Sequence, residues 1–135
     1  MINGNESELV PASPAATSAG VQHVLLTYHY EDVGDLEGYA SLLTDDVMFD
    51  HPGAPPARGR NAVLSAHTAQ ATLHTQHELI TVVAEEGTVV VLGRLLRSAP
   101  GASEWTCGQV EFADVFILSA QSLVRSRRRY YYAPT

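Results

Sequence analysis

Four runs rich in β-branched residues fill the second half of the chain, at His77 to Ala84, Thr88 to Leu96, Thr106 to Leu118 and Ser122 to Tyr132. The segments EEG, SAPGAS and SAQS separate them, so the runs read as strands joined by antiparallel hairpins or longer loops. The first half has a different period. Val21, Val24, Leu25 and Tyr28 fall on one side of a helix that ends near Gly34, and Asp35 can cap a short second helix with Leu36, Tyr39, Leu42 and Leu43 as its buried stripe. Val47 to Asp50 reads as a short strand, and Pro52, Gly53, Pro55, Pro56 and Gly59 make a turn-rich connection. A third helix follows from Asn61 to Leu73, with Val63, Ala66, Gln70 and Leu73 along one face. Helices first and strands after argue for an α+β domain, with helices packed on one face of a curved antiparallel sheet.

The 135 residues suffice for one core. Residues 1–20 lack hydrophobic periodicity and are rich in Ala, Ser, Pro and Gly, so they are expected to form a disordered tail ahead of a single domain at 21–135. The tail has neither the basic start nor the apolar centre of a secretory signal, and no later segment is long enough to span a bilayer. A cytoplasmic protein without membrane contact is expected. The lone Cys107 excludes an internal disulfide and reads as an inert thiol. A net charge of −7 disfavours nucleic acid, with RSRRR at 125–129 as the local exception.

Several chemistries lack their residues. The sequence has no glycine-rich phosphate loop, nucleophile elbow or paired Cys and His. His67, His74, His77 and Glu78 are close in sequence, but His67 and His74 are two helical turns apart, so no metal site and no cofactor are expected.

The segments GDLEGYASLLTDDVMFDHPGAPPARG, VEFADVFIL and RRYYYAP, within residues 21–133, resemble the SnoaL-like branch of the NTF2-like superfamily. That resemblance implies a cone of three N-terminal helices on a strongly curved mixed or antiparallel β-sheet enclosing an apolar cavity, with dimerisation through the sheet. Polyketide cyclases, ketosteroid isomerase, scytalone dehydratase and limonene epoxide hydrolase share this fold, so it names no single reaction.

Strand alternation allows only one of Asp50 and His51 to face inward together with Phe49. The resemblance to ketosteroid isomerase selects His51, which falls where that family carries its proton-shuttling carboxylate. The alternative is that His51 closes the turn by bonding a backbone carbonyl. Phe112, Asp114 and Phe116 share a face; the flanking aromatics should desolvate Asp114 and raise its pKa. A protonated Asp114 would donate to an enolate, an ionised one would orient a histidine, and a bond to an arginine of the next strand is the structural alternative. Asp114 matches the oxyanion-site aspartate of the isomerase. Replacing either His51 or Asp114 should then abolish turnover and leave the thermal midpoint nearly unchanged.

Tyr28, His29, Tyr30, Glu31 and Asp32 crowd one helical turn, of which at most two can enter one cavity. Thr27 stands where the isomerase has its oxyanion tyrosine, so Tyr28 or Tyr30 would supply that hydroxyl. His67 matches a tyrosine supporting the isomerase site. In the last strand, period two puts Ser126, Arg128 and Tyr130 on one face and Arg125, Arg127 and Arg129 on the other. The resemblance implies that the first set lines the cavity, with Arg128 binding substrate oxygen or pairing with Asp114, and leaves the second as a solvated arginine ladder or a dimer contact.

These readings converge on a cofactor-free enzyme with His51 and Asp114 as catalytic groups. Tyr28, Tyr30, His67, Phe49, Phe112, Phe116, Arg128 and Tyr130 would contact a hydrophobic polyketide-type substrate during cyclisation, dehydration or isomerisation. The alternatives are epoxide opening, which the resemblance to limonene epoxide hydrolase ties to two aspartates bridged by an arginine and which only Asp114 with Arg128 or Arg94 could imitate here, a second inward carboxylate being absent from the pattern, and a noncatalytic ligand-binding or assembly module.

Overall fold

The computed structural model describes residues 14–69, 74–98 and 108–132. Helix α1 (Pro14–Val33) begins at a proline, whose fixed φ suits the first helical position. It therefore starts earlier than the hydrophobic pattern indicates, and residues 14–20, expected in the tail, belong to it. Gly34, at φ 75°, stops it: the Asp35 amide donates to Tyr30 O and the Gly34 amide to Glu31 O, the paired bonds of a glycine-terminated helix. Asp35 then caps α2 (Leu36–Ser41), its carboxylate accepting from the Gly38 amide at 2.8 Å.

Strand β1 (Leu43–Asp50) follows at once. It is longer than the expected Val47–Asp50 and takes over Leu43 from the expected helical stripe. Tyr39, Leu42 and Leu43 are buried as anticipated, whereas Leu36 is 42% exposed. A two-residue strand β2 (Ala57–Arg58) and helix α3 (Arg60–Ala69) come next. Gln70, Leu73 and Cys107 lie outside the described residues.

Strands β3 (His74–Glu85), β4 (Thr88–Ser98), β5 (Gly108–Leu118) and β6 (Val124–Tyr131) complete a six-stranded sheet in the order β2-β1-β6-β5-β4-β3. His74 and His77 both belong to β3, which starts three residues before the expected strand. The sheet is mixed because β1 pairs with β6 in parallel while the remaining neighbours are antiparallel. Glu86 and Gly87, both at positive φ, form the β3–β4 turn, whose twist matches that of the strands it joins. The core gathers Val24 and Tyr28 of α1, Tyr39, Val63 of α3, and inward residues of β1, β4, β5 and β6.

The β1–β6 register shifts between Leu43 and Met48, and two bulges in the antiparallel pairs set the identity of the sheet's faces. Leu79 pairs with Gly93 and Thr81 with Leu92, so Ile80 is an extra residue on β3. Ile117 pairs with Ser126 and Leu118 with Val124, so Arg125 is an extra residue on β6. An inserted residue bends its strand and shifts the alternation of every side chain beyond it. After Arg125 the inward set becomes Arg127, Arg129 and Tyr131. Arg128 and Tyr130 point outward, contrary to the period-two reading, which had no sign of the bulge.

Gly93 lies where β4 meets the Ile80 bulge, and a Cβ there would sit 2.5 Å from Glu78 O and 2.9 Å from the Phe112 ring. Gly93→Ala is therefore expected to destabilise the fold by about 1–3 kcal/mol. Chemical denaturation of the two proteins checks this, and equal midpoints would show that the sheet does not require that close approach.

Candidate functional site

The last strand carries two arginines into the interior, and one carboxylate receives both. Asp114 is fully buried on β5, opposite Arg129 in the register. Arg129 Nε donates to Asp114 Oδ1 at 2.8 Å and Nη2 to Oδ2 at 2.8 Å, a two-pronged contact. Arg127 adds Nη2 to Oδ2 at 3.0 Å and a longer Nε contact at 3.3 Å. The Tyr28 hydroxyl, reaching from α1, donates to Oδ2 at 2.6 Å.

Arg127 extends the array toward the helices. Its Nη1 donates to Glu31 Oε1 at 2.8 Å and reaches the Tyr39 hydroxyl at 3.4 Å. Its guanidinium lies between the rings of Tyr28, Phe49 and Phe116, with centroids 5.0, 4.9 and 5.1 Å away. Arg129 stacks over Phe112 at 4.3 Å. Stacking of this kind suits arginine because its planar cation is weakly hydrated and its edge remains free for carboxylates.

Glu31 ends this arm beside His67. Glu31 Oε2 is 2.8 Å from His67 Nε2, at ion-pair distance. The pair is therefore a close electrostatic contact, and the buried Nε2 has no aligned hydrogen-bond partner among the described residues. The His67 ring is 4.5 Å from Tyr39 and 5.9 Å from Phe49. His51 lies just past the end of β1, with its ring 5.2 Å from Phe49 and Nδ1 3.1 Å from Pro52 O. Phe49 thus contacts both histidines. His51 and Asp114 make no contact: Phe49 adjoins His51 and Arg127, and Arg127 adjoins Asp114.

The titration of the network follows from these distances. Burial alone would raise the pKa of Asp114, but the charge of Arg127 and the bonds from Arg129 outweigh it and hold the carboxyl below the usual range. Burial likewise opposes ionisation of Glu31, and Arg127 with His67 overcomes it. Burial pushes the hydroxyls of Tyr28 and Tyr39 far above the ordinary tyrosine value, so both remain protonated donors. For Arg127, the nearby carboxylates outweigh burial and strengthen its charge. The expectation of a raised pKa for Asp114 is thus corrected. The aromatics do desolvate it, but the alternative of a bond to an arginine of the next strand is what the structure shows, with Arg127 and Arg129 in place of Arg128.

Other expectations sort by the faces they occupy. Phe49, Phe112, Phe116 and Tyr28 are buried around the network. Tyr28 is the helix-one tyrosine that reaches Asp114, whereas Tyr30 packs near Gly38. Arg128 is an outward residue, its Nε 3.3 Å from the carboxylate of outward-facing Asp50. Tyr130 is 50% exposed. Neither lines the interior as drawn from the sequence.

The residues missed were Glu31, Asp32, Tyr39, His77, Arg127 and Arg129. On α1, three of the crowded residues take interior partners, Tyr28, Glu31 and Asp32, one more than expected. Their spacing of three and four residues places them on neighbouring parts of one helical face, a signal present in the sequence. No three His, Cys, Asp or Glu side chains among the described residues converge to hold a metal ion.

With this geometry in place, comparison with known proteins decides the family. The sequence profile of the SnoaL-like domain matches residues 26–125. The chain belongs to the SnoaL-like family. No curated protein matches it by sequence. A candidate SnoaL-like polyketide cyclase from Jannaschia sp. superposes with a TM-score of 0.75 at 16% identity, covering 89% of each chain. An LEH-like epoxide hydrolase from M. tuberculosis gives 0.71 at 15%, covering 86% of this chain and 84% of that one. A candidate ketosteroid isomerase from Kribbella flavida gives 0.70 at 15%, covering 88% and 84%. At such identities the likeness establishes the NTF2-like fold, which here carries three helices on an open six-stranded sheet.

Asp114→Asn would leave two buried guanidiniums short of charge and is expected to cost about 3–5 kcal/mol at neutral pH. This replaces the expectation of an unchanged thermal midpoint. Because the pKa values of Asp114 and Glu31 are lowered on folding, their contribution is complete above the unfolded carboxylate pKa and disappears as pH falls through the folded values. Denaturation midpoints measured from about pH 7 downward should drop steeply below about pH 4 in the parent protein and less steeply in the variant. Parallel pH curves would refute the assignment.

Proposed function

We propose that this SnoaL-like protein is a cofactor-free enzyme of bacterial secondary metabolism that cyclises, dehydrates or isomerises a hydrophobic polyketide-type intermediate. The observation that supports this most is the charged array Glu31–Arg127–Asp114–Arg129, enclosed by aromatic rings with His67 at one end. Apolar side chains of similar volume commonly serve stability as well as such an array does, so its presence favours a chemical role.

General acid and base catalysis is the proposed mechanism. Asp114, held ionised, takes no proton; it fixes the Tyr28 hydroxyl and both arginines. His51 and His67, adjoining Phe49, are the proton-moving groups, imidazoles set beside the aromatic wall of the site. One of them removes a proton next to a carbonyl, the guanidinium field stabilises the enolate, and the proton passes to another carbon or to a departing hydroxyl. Phe49, Phe112 and Phe116 supply the apolar surroundings. His51→Ala and His67→Ala are each expected to lower turnover by about 100-fold or more while the fold persists. The assay compares products from extracts that accumulate polyketide intermediates, with and without the protein. Undiminished turnover in both variants would defeat this mechanism.

Epoxide opening is a second reading, favoured by one specific observation: Arg127 bridges two buried carboxylates, Glu31 and Asp114. Glu31 is the second inward carboxylate that the sequence reading lacked. Turnover of a hydrophobic epoxide in 18O-labelled water, with label in the diol, would select this reading over proton transfer next to a carbonyl.

A homodimer in the cytoplasm completes the proposal. No helix among the described residues is long and apolar enough to cross a membrane. The outer sheet face exposes Ile80, Val83, Leu92, Ile117 and Tyr130, a surface that a second copy would cover. Sedimentation should show a dimer that Leu92→Arg converts to monomer; a monomeric parent protein would remove this part of the proposal.

A further inference from the structure

His77 forms a second arm of the network, joined to it through Arg129. Its side chain is 5% exposed, with the rings of Tyr28 and Phe112 at 4.9 and 5.6 Å. Asp32 of α1 grips it twice: the His77 backbone amide donates to Oδ2 at 3.0 Å, and Nδ1 lies 2.7 Å from Oδ1. On the far side of the ring, Nε2 is 3.1 Å from Arg129 Nη2.

These contacts fix where the proton sits. A guanidinium nitrogen donates and never accepts, so Nε2 must present its lone pair to Arg129. An ionised carboxylate only accepts, so Nδ1 must carry the hydrogen that meets Asp32. One species satisfies both, the neutral imidazole protonated on Nδ1. Moreover, the arginine nitrogen that meets Nε2 is the one that completes the fork on Asp114.

We propose that Asp32 and His77 are a positioning pair for the reactive site. Asp32 sets the tautomer of His77, and His77 Nε2 then holds Arg129 in its two-pronged grip on Asp114, which in turn keeps Tyr28 aligned. This proposal rests on reading the charged interior as the reactive site. A purely space-filling residue between Tyr28 and Phe112 would need neither the carboxylate from α1 nor the acceptor facing Arg129. The arrangement explains why Asp32, at the edge of the crowded helical turn, is turned toward β3. The charged and titratable groups around His77 are Asp32, Glu31 and Tyr28 from α1, and Arg129 from β6.

The test uses the full chain with 15N-labelled histidine and arginine. Long-range imidazole spectra at neutral pH should show His77 as the Nδ1–H tautomer, and the Arg129 Nε–H should exchange slowly with water. His77→Gln offers a carbonyl oxygen that can accept from Arg129, whereas His77→Asn is too short to reach it. The slow Arg129 signal is expected to survive in the Gln variant and to be lost in the Asn variant, with kcat about 10-fold or more lower in the latter. An Nε2–H tautomer or an imidazolium in the parent protein would overturn the proposal, as would an Asn variant that keeps both the Arg129 signal and full kcat. The spectra need no substrate. A parent protein without turnover would therefore count against the proposed enzyme and leave the positioning pair to be decided by NMR.

Discussion

Asp114 accepts from three side chains, and each comes from a different part of the fold or of its last strand. Arg127 and Arg129 arrive from β6, and Tyr28 arrives from α1. A buried carboxylate is tolerable only with such partners, and a buried guanidinium only with such a carboxylate, so the groups are interdependent. Glu31 then balances Arg127 from the helical side. The consequence is that helix α1 cannot rotate or slide on the sheet without separating charges in a medium of low polarity. Apolar packing of Val24 and Val63 brings the layers together, but the charged contacts define how they meet.

Much of the architecture was legible because it rests on local periodicity. The helices, the run of strands and the shared face of Phe112, Asp114 and Phe116 follow from spacings of three, four and two. The resemblance to the SnoaL-like family supplied the arrangement of three helices on a mixed sheet. Strand β2, two residues long, and the parallel pairing of β1 with β6 were beyond reach, since neither has a sequence period of its own.

The site was legible only in part, and the failure has one physical origin. Arg127 and Arg129 were placed outside because alternation sets them opposite Ser126, Arg128 and Tyr130, the face that the resemblance assigned to the cavity; the extra residue at Arg125 reverses the faces after that point. A bulge is a pairing event between strands and leaves no mark in one strand alone. With the arginines outside, Asp114 looked like an aromatic-flanked acid with a raised pKa, and Glu31 had no partner that would justify turning inward. One undetected residue thus altered the charge state assigned to the centre of the molecule. The placement of Asp50 did not suffer, because β1 keeps its alternation over Met48, Phe49 and Asp50 alongside β6.

The bulge at Arg125 also bears on how such a domain could diversify. Substitutions change one lining group at a time, whereas absorbing Arg125 into the regular ladder, with no residue replaced, would exchange the two faces of the remaining strand. Arg128 and Tyr130 would be carried inward, and the partners of Asp114 would be carried out. Within this fold, a change in how one residue pairs can rewrite the interior chemistry in one step without altering the residues that flank it.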